Sequence, residues 1–194
     1  MKFLPTKKQW PVLILLMVLM LVTRYHPWGE VLHVKDASMA VFFAAGFYLG
    51  GTFALPLLLL QAGLIDYVSI TQSGISDYCV TPAYSMLVVA YAVLWYGGLL
   101  FSRYYRQSVS TLLPLAGVAL ASNLVSFWIS NGSFYWFGGR VGEATFAGYI
   151  ENFLKYMPWF VTVSMLWIIT MAAAHAVAVW GFGYRYESPR QNRA

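Results

Sequence analysis

Hydrophobic residues in this chain come in long unbroken runs, not in the alternating or single-face patterns of soluble strands and helices. Four runs carry no Asp, Glu, Lys or Arg. They cover 29 residues from Ala37 to Ile65, 19 from Ala83 to Phe101, 22 from Val109 to Ser130 and 26 from Met157 to Phe182. A fifth, Trp10 to Val22, is shorter and almost wholly aliphatic. A bilayer core takes about 20 apolar helical residues, and a helix that is apolar all round faces lipid or protein on every side. The pattern predicts an all-α membrane protein forming one transmembrane domain over residues 1–194.

The number of spans turns on the 29-residue run. As one helix it would rise ~44 Å against a hydrocarbon core of ~30 Å. Gly50-Gly51 divides it, and Pro56 then falls early in a second helix. Loop charge favours the division, because Lys and Arg are retained on the cytoplasmic side. With six helices and cytoplasmic termini, eight of the basic residues lie inside and four (Arg24, Lys35, Arg140, Lys155) outside; with five helices the split is five against seven. The expected helices are approximately 10–24, 35–49, 52–66, 82–101, 109–130 and 157–182. The outer loops are then 24–36, 66–82 and 131–156. Lys2, Lys7 and Lys8 before the first run imitate a signal peptide, but Thr23-Arg24-Tyr25-His26-Pro27 offers no small-x-small cleavage site, so that helix is read as retained.

Composition narrows the chemistry. Charged residues make up 10% of the chain, against about 25% in soluble domains. The net charge of +5 is dispersed between apolar runs, which argues against nucleic acid as a partner. One cysteine excludes a disulfide framework or a thiolate metal cage. No G-x-x-x-x-G-K-[ST] signature is present, so uphill transport on ATP would need a separate ATPase subunit. No charge falls deep in an expected helix, which argues against a proton-relay pump. His175, the one imidazole inside an expected helix, reads as a hydrogen-bonded packing residue.

The richest polar segment is the loop from Asp66 to Tyr84, with two carboxylates, the tyrosines Tyr67, Tyr78 and Tyr84, and the single Cys79. Pro82 suits the first turn of the next helix, with Thr81 as its N-cap. Cys79 then precedes a helix N-terminus, where the dipole favours thiolate. A thiolate suits transition metals and can supply one axial ligand to a metal already held in a macrocycle; a small buried packing residue is the plainer alternative. Most tryptophans lie near expected helix ends, as interfacial anchors do. Phe134-Tyr135-Trp136-Phe137, in an expected outer loop, could cover a flat ligand or dip into the interface.

In its size, its six-helix layout, His26-Pro27-Trp28-Gly29-Glu30, and Asp66 through Tyr84 with the lone Cys79, the sequence resembles the BtuM family. These are small membrane proteins for cobalamin (vitamin B12) uptake, related to the S-components of energy-coupling-factor transporters. The resemblance implies an S-component-like bundle in a bacterial inner membrane and an outward-facing corrinoid pocket. There Cys79 ligates cobalt, with Asp66, Tyr84 and His26 nearby (His33 could take the place of His26) and Tyr78, Tyr135 and Trp136 among the surrounding aromatics. An energy-coupling module with ATPase subunits is an implied partner. S-components dock through an Ala-x-x-x-Ala face on the first helix; here that helix has no alanine, and the nearest small-residue faces are Ala40/Ala44 and Gly46/Gly50 on the second.

Cobalamin-binding transport is thus the leading expectation. A thiol-dependent membrane enzyme acting through Cys79, including decyanation of cyanocobalamin, is the alternative. A structural or quinone-associated subunit of a respiratory complex is a third reading.

Overall fold

A computed structural model describes residues 4–31, 34–78 and 80–186, apart from the side chains of His26 and Glu30. Among them the chain is helical, with no strand. The helices are α1 (Gln9–Arg24), the short α2 (His26–Val31), α3 (Ser38–Leu49), α4 (Ala54–Ser73), α5 (Leu87–Tyr104), α6 (Leu112–Phe137) and α7 (Phe146–Phe182). A 3-10 turn, Pro82–Met86, leads into α5, and another, Val109–Thr111, leads into α6.

Four segments are long and apolar enough to cross a membrane: Ala54–Ser73, Pro82–Tyr104, Val109–Phe137 and Phe146–Phe182. Helices α1 and α3 are apolar but shorter, at 16 and 12 residues. Large apolar side chains such as Leu15, Leu60, Val88, Leu113, Leu166 and Trp180 stay exposed on the outer faces of their helices. In water such patches would drive association. Against acyl chains they cost nothing, and the helices keep their backbone hydrogen bonds internal.

Helix α3 sits at the centre, which explains why it is apolar all round. Ten of its 12 residues are buried, and it packs on α1, α4, α5 and α7. Its seam with α5 is closed by glycines: a Cβ on Gly46 would lie 1.9 Å from the Trp95 carbonyl oxygen, and one on Gly98 would lie 1.8 Å from that of Phe43. Small residues let helix backbones touch in this way. The Ala40/Ala44 and Gly46/Gly50 faces are therefore consumed inside the bundle, with all four residues buried.

The helices alternate in direction. Arg24, Ser38, Asp66 and Tyr91 meet at one end. At the other, Gln9 Nε2 donates to the Tyr48 carbonyl at 2.9 Å and the Tyr186 hydroxyl to that of Phe47 at 2.8 Å. These are the Arg24 end and the Tyr105 end of the bundle.

The 29-residue run is divided at the glycines, as the charge count required, and Pro56 lies in the first turn of α4. The short α2 lies within the expected outer loop 24–36, and helix ends differ from the sequence reading at three further places. Helix α4 continues past Ile65 to Ser73, where Gly74 ends it at φ 65°. Asp66 is therefore a helical residue, and a charge does lie within a helix; it is tolerated because Arg24 neutralises it. Helix α6 runs on to Phe137 and α7 begins at Phe146, so Phe134–Phe137 is helical and the supposed loop 131–156 shrinks to 138–145. Apolar runs report where a helix meets lipid, and these helices extend beyond that band. Finally, Pro82 opens a 3-10 turn in place of an α-helix, and Thr81 makes no side-chain cap. Its hydroxyl is buried without a hydrogen-bond partner among the described residues.

Candidate functional site

The Arg24 end carries the densest polar cluster. Arg24 is the last residue of α1, and its side chain is 9% exposed. Its guanidinium forks onto Asp66, with Nε 2.7 Å from Oδ1 and Nη2 2.6 Å from Oδ2. The remaining nitrogen, Nη1, donates to the Tyr91 hydroxyl at 2.8 Å, to Ser38 Oγ at 3.1 Å and to Asp36 Oδ2 at 3.3 Å. Tyr84, in the turn before α5, donates its hydroxyl to Asp66 Oδ2. Asp36 in turn accepts from the backbone N–H of Ser38 at 2.9 Å. One guanidinium thus joins α1, the start of α3, α4 and α5. A bidentate, multiply hydrogen-bonded geometry of this kind is what makes a buried ion pair tolerable.

Two carboxylates face one guanidinium, so the cluster keeps a formal charge of −1. Each carboxylate oxygen has about two acceptor positions. Among the described residues, Asp66 Oδ2 uses both, on Arg24 and Tyr84, whereas Oδ1 uses one. At 25% exposure, Asp66 retains an acceptor position for an outside N–H.

Of the residues singled out by sequence, the structure brings Asp66 and Tyr84 into direct contact. Tyr78 lies beside the last turns of α6, its ring 5.7 Å from Phe134 and 4.8 Å from the Arg140 guanidinium. The segment after α4 therefore folds toward α6 at this end. Tyr135 is buried, and its hydroxyl holds the start of α7, donating to the Thr145 carbonyl at 3.1 Å. That bond ties the end of α6 to the start of α7. Trp136 is 42% exposed and lies edge-on to Tyr135. Cys79, His33 and the side chain of His26 lie outside the described residues. Sequence reasoning missed Arg24, Asp36, Ser38 and Tyr91 as a unit. The available signal was an arginine closing an apolar helix, where a guanidinium is either paired or snorkels to the interface.

At the Tyr105 end, His175 is hydrogen-bonded as expected. Its Nδ1 is 2.6 Å from the Tyr48 hydroxyl and its Nε2 is 2.7 Å from the Tyr105 hydroxyl. Phe47 and Tyr186 stack nearby at 4.3 Å. Burial raises the Tyr105 phenol above its ordinary value, so it is protonated at neutral pH. Beside this group opens an apolar cavity of about 550 Å³ between α3, α5, α6 and α7. It lies at the opposite end of the bundle from Asp66 and Tyr84.

No model of a known protein family matches the chain. A search of curated proteins likewise finds no match. Among the described residues no three His, Asp or Glu side chains converge in a metal-binding group; a macrocycle that brings its own metal needs only one axial donor.

Proposed function

We propose that the chain is a corrinoid-binding membrane transport protein that takes cobalamin at the Arg24 end, with the Cys79 thiolate as axial cobalt ligand. The four long helices, with the shorter α1 and α3, make six crossings of a bacterial inner membrane with both termini cytoplasmic, which puts the Arg24 end outside. The observation that carries the reading is the bonded pair Asp66–Tyr84 at the two ends of the Cys79 segment. It ties that segment to the bundle and leaves Asp66 Oδ1 able to accept from a corrinoid amide. The thiolate would displace cobalamin's own benzimidazole arm from the lower axial position, so a base-off, sulfur-ligated corrinoid is the expected species. The absence of an Ala-x-x-x-Ala face on α1 favours a protein that works without the energising module of S-components.

Protein purified with cyanocobalamin should show red-shifted corrinoid absorption, and Cys79→Ser should abolish that shift while leaving the fold intact. A wild-type spectrum in Cys79→Ser would make Cys79 a packing residue and remove this reading. A colourless protein that nonetheless turns over a substrate through Cys79 would favour a thiol enzyme instead.

Removing the Tyr84 hydroxyl should leave Asp66 less restrained. Tyr84→Phe should therefore weaken corrinoid binding by about 1–3 kcal/mol, the usual cost of losing a buried polar partner. Calorimetric titration would read this directly, and unchanged affinity would reduce Tyr84 to scaffolding.

A further inference from the structure

The cavity at the Tyr105 end plays no part in the corrinoid reading, and its chemistry differs. Along α7 its wall runs from Met165 to Trp180, a rise of ~22 Å. The cavity is therefore an elongated groove, partly open along its side, not a compact pocket. Its width comes from small residues, Ala116 on α6 and Ala172 and Ala176 on α7. The α6–α7 side-chain contacts cluster at the other end of the bundle: Phe127 lies 5.2 Å from Phe153 and 5.1 Å from Phe160, and Asn131 bonds to Asn152. Beyond Phe160, just after Pro158, which lacks the N–H that would bond to the Leu154 carbonyl, α7 changes partner. Trp167 bonds to the Lys35 carbonyl and His175 to Tyr48 of α3. Helices α6 and α7 therefore part toward the Tyr105 end, leaving the groove between them.

Two polar features mark its mouth. Arg106 lines it, is exposed, and has no carboxylate partner among the described residues. The second feature follows from counting hydrogens. A neutral imidazole has one N–H and a protonated one has two, while Tyr48 and Tyr105 each carry one O–H. Whichever nitrogen donates, at least one phenol hydrogen is left over. Neither hydroxyl has another hydrogen-bond partner among the described residues. A cation at the mouth, an O–H donor just inside and a long apolar channel match one ligand class. A polar-rimmed, compact corrinoid does not fit them.

We propose that this groove holds one acyl chain of an anionic glycerophospholipid. The phosphate sits on Arg106, and an ester carbonyl accepts the spare hydrogen of the Tyr48–His175–Tyr105 group. Its volume lies within the ~300–1,000 Å³ of ligand sites, and basic pockets between membrane helices select anionic headgroups. The site stands whether or not the Arg24 end takes a corrinoid.

The test is native mass spectrometry of the full chain in mild detergent, titrated with dioleoyl-phosphatidylglycerol or dioleoyl-phosphatidylcholine. The two lipids share their chains and differ in headgroup charge. The wild type should retain the phosphatidylglycerol about fivefold more strongly, the effect of roughly one basic residue at a membrane surface. Arg106→Gln should erase that preference. Arg103→Gln, at the same end but outside the groove wall, should preserve it. Ala172→Phe should fill the groove and reduce retention of both lipids. If Ala172→Phe does not fold, the two arginine variants decide. Equal retention of the two lipids by the wild type, an unchanged preference in Arg106→Gln, or an equal loss in Arg103→Gln would each overturn the site.

Discussion

Replacing Gly98 by alanine should destabilise the protein by about 3 kcal/mol, the upper range for overpacking a close-packed interior. The new Cβ would lie 1.8 Å from the Phe43 carbonyl oxygen and 2.8 Å from the Phe47 nitrogen. Both obstacles are backbone, so no rotamer change relieves them; α3 and α5 must separate. Separation opens the seam along its length, because Gly46 makes the reciprocal contact with Trp95 one turn away. Gly63 supplies the control. It is also helical, on α4, and a Cβ there meets nothing within 4 Å. Gly63→Ala should be neutral or stabilise by up to ~1 kcal/mol through helix propensity. Denaturant titration in detergent micelles reads both. A Gly98→Ala protein as stable as Gly63→Ala would show that the seam is loose.

Breaking the Arg24 cluster should be at least as costly. Arg24→Met leaves Asp36 and Asp66 without their cation, and removing one partner of a buried pair costs ~3–5 kcal/mol. Asp66→Leu strands the guanidinium and the Tyr84 hydroxyl and should cost a similar amount. The double variant Arg24→Met/Asp66→Leu removes both charges and fits apolar groups into the space. It should be clearly more stable than the sum of the single changes implies, since buried pairs replaced by apolar residues often lose little. Strict additivity would mean that the two residues act independently, against the bidentate geometry at 2.6 and 2.7 Å. The same variants separate stability from binding. If Asp66 serves only the bundle, corrinoid retention should follow the folded fraction; if Oδ1 also accepts from a ligand, Asp66→Leu should lose more binding than stability.

The outlines of the helices were legible because transfer into lipid is a local property. A residue's apolarity does not depend on its partner, so run length marks α4 to α7, and Gly50-Gly51 marks the break before α4. The identity of the polar cluster was half legible. Asp66 and Tyr84 stood out by their place in a polar segment, but Arg24 was counted only as a loop charge. Its partners lie 12 to 67 positions away, and no periodicity reports such a distance. The same blindness set the helix ends wrongly. A reading that stops helices at the first charge or polar residue cannot know that Asp66 will be neutralised across the bundle, or that the Phe134–Phe137 aromatics will stay helical above the apolar band.

By itself, then, the sequence determined that this is an all-helical membrane-embedded chain, where most helices lie, and that His175 would be hydrogen-bonded. Only the tertiary structure decided that α3, too short to count among the long apolar helices, is the buried centre, that Arg24 joins four elements, and that α6 and α7 part to leave a groove beside His175. Hydrophobicity selects which residues leave water, residue by residue. Which backbones touch and where space remains depend on pairs of distant residues, such as Gly98 with Phe43 and Tyr48 with His175, that meet only once the chain has packed.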